Sequence, residues 1–271
     1  MYDLSYSRPG SVSEAEEMFS RSDDAKYLAG GMTLIATMKQ RLAAPQQLID
    51  LRHIPDLRGI DIDGRRVRIG AATCHFDVSA DARLLSTCPA LAELAGLIGD
   101  PHVRYMGTMG GSVANNDPAA DYPAGVLALD ALVITNRRTI TADDFFVGLF
   151  ETALDEGEII TAFEFQAPVR AAYSKFPNPA SRYAVAGVFV AQQADSSVRL
   201  AVTGAGSDGV FRNSSMESAL AAEFSPKAIR GIAIDPGAMM SDLHADAQYR
   251  AHIVGVMARR AVAAALERDA G

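Results

Sequence analysis

The sequence predicts a fold of mixed helices and strands in two parts that meet at about residue 170. The first fifty residues alternate between strand, glycine turn, helix and strand patterns. Beyond residue 170, two apolar segments rich in β-branched residues precede a long helical pattern, which indicates an antiparallel sheet with a helix. The two parts therefore differ in the kind of element that dominates them.

The opening segment predicts a β–loop–α–β unit. A capping-box pattern, Ser13-x-x-Glu16, indicates a short first helix. Residues 26–28 read as a strand that leads into a pair of glycines. A helix is expected from about Thr33 until Pro45 ends it, and residues 48–51 form a short buried strand. The glycines thus lie at the start of a helix.

The middle of the chain predicts a strand at residues 66–71, after a turn at Asp63-Gly64. Helices are expected at about residues 76–85 and from Pro89 onward. Residues 99–123 are rich in Gly, Asn, Asp and Pro, and they are expected to form a long functional loop. A helix at residues 124–131 and a strand at residues 132–135 follow.

The last third predicts a hairpin and a terminal helix. A strand is expected at residues 159–165 and a basic, proline-containing loop at residues 168–180. Residues 184–191 and 198–203 read as two strands joined by a turn at Asp195-Ser196-Ser197. An apolar side at helical spacing predicts a long helix over residues 247–266.

Composition excludes several classes of function. The chain has 271 residues, 49% of them hydrophobic, and a net charge of −8 without a basic stripe, which argues against nucleic-acid binding. No apolar run approaches a membrane span, and the first residues lack a secretory signal, so a cytoplasmic protein is expected. The two cysteines, Cys74 and Cys88, are expected to be free thiols rather than a disulfide. Two cysteines are also too few for an iron–sulfur cluster, which takes four protein ligands.

Two glycine-pair segments carry the clearest chemistry. The first segment is Ala29-Gly30-Gly31-Met32-Thr33, ahead of the predicted helix. Glycine lets backbone N–H groups converge on an anion, and the positive end of a helix favours the same anion. Taken alone, such a pair is more often a tight turn. It matches neither the G-x-G-x-x-G fingerprint nor a P-loop.

The second segment is Thr108-Met109-Gly110-Gly111-Ser112, which runs on to Asn115 and Asp121. Two such segments in one chain suggest a diphosphate held from two sides, and hence a dinucleotide cofactor. An acidic residue near a nucleotide commonly accepts hydrogen bonds from ribose hydroxyls. Asp121 fits that role and fits equally well the N-cap of a helix that begins before Pro123.

These motifs resemble one family. The AGGMT segment, the segment VRYMGTMGGSVANNDPAADYPAGVLALDA and the terminal DLHADAQYRAHIVGVMARRAV together look like the FAD-binding medium subunit of the molybdenum hydroxylases, as in carbon monoxide dehydrogenase. They are also similar to the FAD domain of xanthine dehydrogenase. The three motifs lie far apart and the resemblance covers nearly the whole chain.

The resemblance implies an α+β fold. A two-subdomain FAD-binding domain of the vanillyl-alcohol oxidase type would span residues 1–170, with subdomains of about 1–55 and 56–170. A small C-terminal α+β domain, an antiparallel sheet with helices, would span residues 171–271. The implied FAD-binding residues are Ala29, Gly30, Gly31, Met32, Thr33, Leu34, Thr108, Gly110, Gly111, Ser112, Asn115, Asp121, Ile160, Lys175 and Tyr183.

Within that set the resemblance implies separate roles. Both glycine segments would bind the diphosphate and its neighbouring ribityl and ribose groups, and Asp121 the adenosine ribose. Lys175, Tyr183 and either Ile159 or Ile160 would lie by the flavin ring. The chain departs from the family pattern at Met32, where a polar residue is more usual, at Tyr105, and in the loop from residue 175 to 183.

The resemblance also implies a shared function. FAD would pass electrons from iron–sulfur clusters on a small [2Fe-2S] partner to an external acceptor, while a large molybdopterin partner oxidises substrate, in a dimer of heterotrimers. The chain alone would be inactive on that substrate. Two alternatives stay open: a self-sufficient flavin-dependent reductase or oxidase, and a non-catalytic nucleotide-binding module. The sequence shows no catalytic dyad and no metal-ligand spacing, and His75 is expected to be structural rather than a flavin contact.

Overall fold

The computed structural model describes residues 2–267 as helices packed around three main sheets and a small hairpin. The strands are β1 (Ser5–Ser7), β2 (Ala25–Leu28), β3 (Gln47–Asp50), β4 (Ile60–Asp63), β5 (Arg66–Gly70), β6 (Leu132–Thr135), β7 (Thr139–Thr141), β8 (Phe146–Gly148), β9 (Glu151–Thr152), β10 (Ile160–Gln166), β11 (Arg170–Pro177), β12 (Ala184–Gln192), β13 (Val198–Thr203) and β14 (Phe211–Arg212).

In the order of the chain, most of the α-helices occur between strands of the first two sheets. They are α1 (Val12–Ser20), α2 (Leu34–Lys39), α3 (His75–Ala80), α4 (Ala82–Thr87), α5 (Pro89–Gly96), α6 (Pro101–Met106), α7 (Met109–Asn115), α8 (Tyr122–Ala128), α9 (Ala142–Phe145), α10 (Ser214–Ala222) and α11 (Ala247–Glu267). None of the helices within residues 2–267 has the length and apolar character to cross a lipid bilayer.

The first sheet is small and parallel, in the order β1-β3-β2. The second sheet is antiparallel, in the order β4-β5-β10-β6-β7, so β10 returns from far along the chain to lie between β5 and β6. This return brings residues near position 160 beside residues near position 70. The first glycine segment follows β2 of the first sheet, and the second follows α6.

The third sheet, β11-β12-β13-β14, is buried on both faces. Along β12, Val188 and Val190 pack under α11, whereas Phe189 and Ala191 face the opposite core with α5 and α8. This alternation follows the two-residue period of a strand. The predicted hairpin and the long terminal helix are both confirmed.

Three predictions about helices are corrected by their caps and ends. The capping box lies two residues earlier, where Ser11 accepts from the Glu14 N–H and Glu14 Oε2 accepts from the Gly10 N–H. Helix α2 ends at Lys39, well before Pro45, because Arg41 adopts a left-handed backbone conformation with φ 62°. The predicted helix over 76–85 is two helices, since Asp81 is extended and caps α4.

Two predicted loops contain regular structure. Residues 99–123 hold α6 and α7, whose first turns are capped by Asp100 and Thr108. Most of residues 168–180 form β11. Its seven residues from Arg170 to Phe176 pair in register with β12, and this pairing fixes an extended backbone. In both places tertiary contacts and caps outweigh a composition that is typical of loops.

Candidate functional site

A cavity of about 650 Å³ lies between the two glycine segments and is within the size range of small-molecule and cofactor sites. It brings together every residue of the predicted set except Lys175. The residues of that set in its wall are Ala29, Gly30, Gly31, Met32, Thr33, Leu34, Thr108, Gly110, Gly111, Ser112, Asn115, Asp121, Ile160 and Tyr183. The structure thus joins segments that are about 80 residues apart in the chain.

The first glycine segment presents unpartnered backbone donors. Within the described part of the chain, no group accepts a hydrogen bond from the N–H groups of Gly30, Gly31, Met32 or Thr33. Gly31 has φ +72°, a backbone conformation that favours glycine. Consecutive free N–H groups ahead of a helix form a concave anion site. This segment is therefore the part of the wall best suited to a diphosphate.

The second glycine segment is built differently. It forms the first turn of α7, where the Gly110 N–H donates to the Ala71 carbonyl at 2.8 Å and the Gly111 N–H donates to Thr108 Oγ1 at 3.0 Å. The two segments are therefore not equivalent sets of free donors, because the N–H groups of Gly110 and Gly111 already have acceptors. What remains free in this segment is the Ser112 hydroxyl, which makes no hydrogen bond to the other described residues.

Close packing explains why glycine occupies these positions. A Cβ on Gly110 would lie 2.6 Å from the Ala71 Cβ, and a Cβ on Gly111 would lie 3.1 Å from the Ala29 Cβ. A Cβ on Gly30 would lie 2.5 Å from the Gly107 Cα. The glycines therefore let the two segments approach each other, so that the donors of the first segment are held against the helix of the second.

Asp121 lies in the cavity wall but is committed to partners on β11. Its Oδ1 accepts from the Tyr173 hydroxyl at 2.5 Å, and its Oδ2 accepts from Lys175 Nζ at 2.8 Å. Burial raises the pKa of Asp121, and the two partners act in the opposite direction. The N-cap alternative is right in position, because Asp121 directly precedes α8, but its carboxylate accepts no capping hydrogen bond from that helix.

Lys175 lies outside the cavity wall. Its ammonium group is buried against Asp121 and the Leu97 carbonyl, and it lines a second cavity of about 330 Å³ beside residues 96–99 and 177–182. Tyr183 is nearer to the expected position, because it lies in the wall of the larger cavity with about half of its surface exposed.

His75 is a wall residue that sequence reasoning placed in a structural role. It is buried, it lies 5.3 Å from the Tyr122 ring between centroids, and its Nδ1 has no hydrogen-bond partner among the described residues. Burial, helped by the nearby Arg104 charge, lowers the pKa of His75 to about 4, so its ring is neutral near pH 7. The available sequence signal for a place in the cavity wall was that His75 follows the predicted strand that became β5.

Glu158 is a second wall residue outside the predicted set. Its buried carboxylate accepts from Thr135 Oγ1 at 2.7 Å, from Arg138 at 2.9 Å and from the Asp155 N–H at 2.8 Å. Burial opposes ionisation, but these hydrogen bonds prevail and lower the pKa of Glu158 to about 2. The carboxylate thus fixes the turn at residues 155–158, and Glu158 lines the cavity together with the first segment.

The remaining chemistry of the cavity is sparse. Across residues 2–267, no cluster of three or more His, Cys, Asp or Glu side chains is arranged to hold a metal ion. Cys74 and Cys88 are free thiols. The cavity volume, the run of free N–H groups and the glycine contacts fit a dinucleotide with a diphosphate, which agrees with FAD.

Comparisons with known proteins agree with this geometry. Residues 2–167 match the family model described as the FAD binding domain in molybdopterin dehydrogenase. The chain is 36% identical to the carbon monoxide dehydrogenase medium chain of Hydrogenophaga pseudoflava, over 98% of each chain. It is 34% identical to the nicotine 6-hydroxylase medium subunit of Paenarthrobacter nicotinovorans, over 96% of each.

A solved structure shows the same fold. The chain superimposes on one from the reconstituted CO dehydrogenase of Oligotropha carboxidovorans with a TM-score of 0.88 and 33% identity, covering 98% of this chain and 99% of that one. The α+β fold class is thereby confirmed. The chain belongs to the family of FAD-binding domains of molybdopterin dehydrogenases, as a medium, FAD-binding subunit of the carbon monoxide dehydrogenase type.

Proposed function

We propose that this chain is the electron-transfer subunit of a molybdenum hydroxylase complex. FAD, when bound, would take electrons from iron–sulfur clusters of a partner and release them to an external acceptor. The observation that carries the proposal is the cavity itself. It combines free backbone donors for a diphosphate with a wall in which the ionisable groups Asp121 and Glu158 are already engaged by protein partners.

The chain's own residues would bind and orient the cofactor. We assign the diphosphate to the N–H groups of Gly30–Thr33 and the Ser112 hydroxyl, and a position beside the flavin ring to Ile160 and Tyr183. The ribose role of Asp121 stays a prediction, as does the domain boundary at about residue 170. At Met32 the assigned donor is the backbone N–H, which is present whatever the side chain, so the departure from a polar residue does not affect the assignment.

The partners follow from what the chain does not carry. Its two cysteines cannot ligate an iron–sulfur cluster, so we assign the clusters to a small [2Fe-2S] partner and substrate oxidation to a large molybdopterin partner. Relatives of similar identity are named for carbon monoxide and for nicotine, which supports a substrate site on another chain. A dimer of heterotrimers in the cytoplasm completes the proposal.

The experiment compares the purified FAD-loaded chain with the complex formed by the partners encoded with it. Substrate added to the complex should bleach the flavin absorbance, whereas the same substrate should leave the flavin of the isolated chain oxidised. A complex that lacks the small partner is the matched control, and it should behave as the isolated chain does. Multiple turnovers by the isolated chain would instead support the self-sufficient flavoenzyme alternative.

A further inference from the structure

A buried hydrogen-bonded chain crosses the wall behind the cofactor cavity. Asp121 accepts from Tyr173 through Oδ1 and from Lys175 through Oδ2. The side chains of Lys175 and Asp121 are only 3% and 5% exposed, respectively, so the ion pair has little contact with bulk water. Tyr173 and Lys175 are alternate residues of β11 and therefore point to the same side of that strand.

The ion pair reaches from one cavity to another. Asp121 lines the larger cavity, while Lys175 lines the cavity of about 330 Å³ beside Leu97 and Asn178. That second cavity is large enough for several water molecules, and the polar side chains of Lys175, Asn178 and Arg182 in its wall can bind them. The 2.8 Å hydrogen bond from Lys175 to Asp121 thus joins the second cavity to the wall of the cofactor site.

We propose that Lys175 and Asp121 form a proton relay between the second cavity and the cofactor cavity. The proposal rests on the proposed function, because iron–sulfur clusters supply electrons singly and without protons. A two-electron reduction of FAD that is charge-balanced also takes up two protons, which must come from water. The relay would supply them one at a time from the second cavity, which Lys175 lines.

Each proton transfer is balanced within the relay. Asp121 Oδ2 takes a proton from the Lys175 ammonium group, which leaves a neutral carboxyl beside a neutral amine. The carboxyl then releases its proton into the cofactor cavity, and the amine regains one from water in the second cavity.

Burial supports the neutral form that the relay needs, since it raises the pKa of Asp121. Other groups face the same carboxylate and modulate its charge. Tyr122 and Tyr183 interact with it electrostatically, and Asp117 lies beside Tyr183. The titratable groups around Asp121 are Tyr173, Lys175, Tyr122 and Tyr183.

The test uses the FAD-loaded full chain and dithionite, a reductant that donates single electrons. Flavin bleaching is followed by stopped flow in H₂O and in D₂O. The Asp121→Asn, Lys175→Gln double variant removes both charges together, so neither is left buried without a partner. We expect flavin reduction about tenfold slower or more, with a larger solvent isotope effect.

Chemical rescue separates a relay from a structural role. Formate or imidazole, which carry protons through small spaces, should restore the rate in the double variant. The matched control is Asp143→Asn, which alters an ion pair with Arg199 and Arg212 outside both cavities and should reduce at the wild-type rate. Should the double variant lose FAD, Lys175→Gln alone carries the same expectation, since it blocks proton entry and keeps Asp121.

Two results would overturn the relay. One is a variant that holds FAD and is reduced at the wild-type rate, and the other is a slow variant that neither proton carrier restores. Failure of the wild-type chain to hold FAD is a separate result, because it contradicts the proposed function before the relay is reached.

Discussion

The two glycine segments look alike in sequence but differ in structure. The first segment, around Gly30 and Gly31, leaves its backbone N–H groups free. The second segment commits the N–H groups of Gly110 and Gly111 to Ala71 and Thr108. The first is therefore suited to bind an anion, and the second is a close-packed support. Similar motifs can thus divide one task between a donor surface and the framework that holds it.

The largest expected effect is on the supporting segment. In Gly110→Ala, the new Cβ would lie 2.6 Å from the Ala71 Cβ and 2.7 Å from its carbonyl oxygen, which are close contacts with little freedom to move. We expect a loss of about 3 kcal/mol or more in the free energy of unfolding, together with loss of FAD. Urea denaturation and flavin absorbance measure the two effects.

Gly111→Ala is the matched variant for that test. Its Cβ would meet Thr108 Oγ1 at 3.0 Å and the Ala29 Cβ at 3.1 Å, contacts that small shifts can relieve. We expect a cost of about 1 kcal/mol and retained folding. Equal stability losses in Gly110→Ala and Gly111→Ala would contradict the view that Gly110 is the tighter packing point.

Acid should weaken the supports of the two segments in different pH ranges. His75, beside the second segment, has its pKa lowered from 6.5 to about 4, so the folded state gives up stability as pH falls from about 6.5 to 4. Glu158, beside the first, has its pKa lowered from 4.5 to about 2, so its contribution is lost between about pH 4.5 and 2. The expected losses are about 3 kcal/mol for His75 and about 2 kcal/mol for Glu158, whose partner Arg138 is half exposed.

Substitutions of His75 and Glu158 test which residue causes the loss of stability in each pH range. Chemical denaturation from pH 7 to pH 3 should show a smaller loss above pH 4.5 in His75→Phe than in the wild type. Glu158→Gln should be less stable than the wild type near neutral pH and should lose less below pH 4.5. A wild-type free energy of unfolding that is constant from pH 7 to pH 5 would refute the His75 part.

The sequence was sufficient wherever structure depends on local pattern. The hairpin from β12 to β13 was predictable because apolar residues flank a turn at Asp195-Ser196-Ser197, and Ser196 adopts the left-handed conformation that such a turn requires. The opening β–loop–α–β unit was predictable for the same reason. In these segments propensity, hydrophobic pattern and tertiary contacts agree.

The sequence was insufficient where partners lie far apart in the chain. The ion pair between Asp121 and Lys175 joins residues 54 positions apart and depends on the register of β11. The prolines and basic residues of this segment had predicted a loop instead of a strand. Likewise, Gly110 gives its N–H to Ala71 only because α7 packs against the end of β5. These two long-range hydrogen bonds have no local signal, whereas α6 and α7 begin at residue types that do mark a helix start, Asp100-Pro101 and Thr108.

A change that is expected to affect cofactor affinity but not folding tests the donor segment directly. Met32 is 43% exposed at the free N–H groups, so changes to its side chain should leave folding intact. In Met32→Asp, a carboxylate beside the free N–H groups would repel a diphosphate bound to them by about 2 kcal/mol, or about 30-fold in the FAD dissociation constant. Met32→Asn has the same shape without the charge and should bind FAD as the wild type does. Fluorescence titration with FAD compares the two variants, and the ratio should shrink as salt is added. Equal FAD affinities of the two variants at low salt would contradict the assignment of the diphosphate to the first segment and would leave the second segment as its contact.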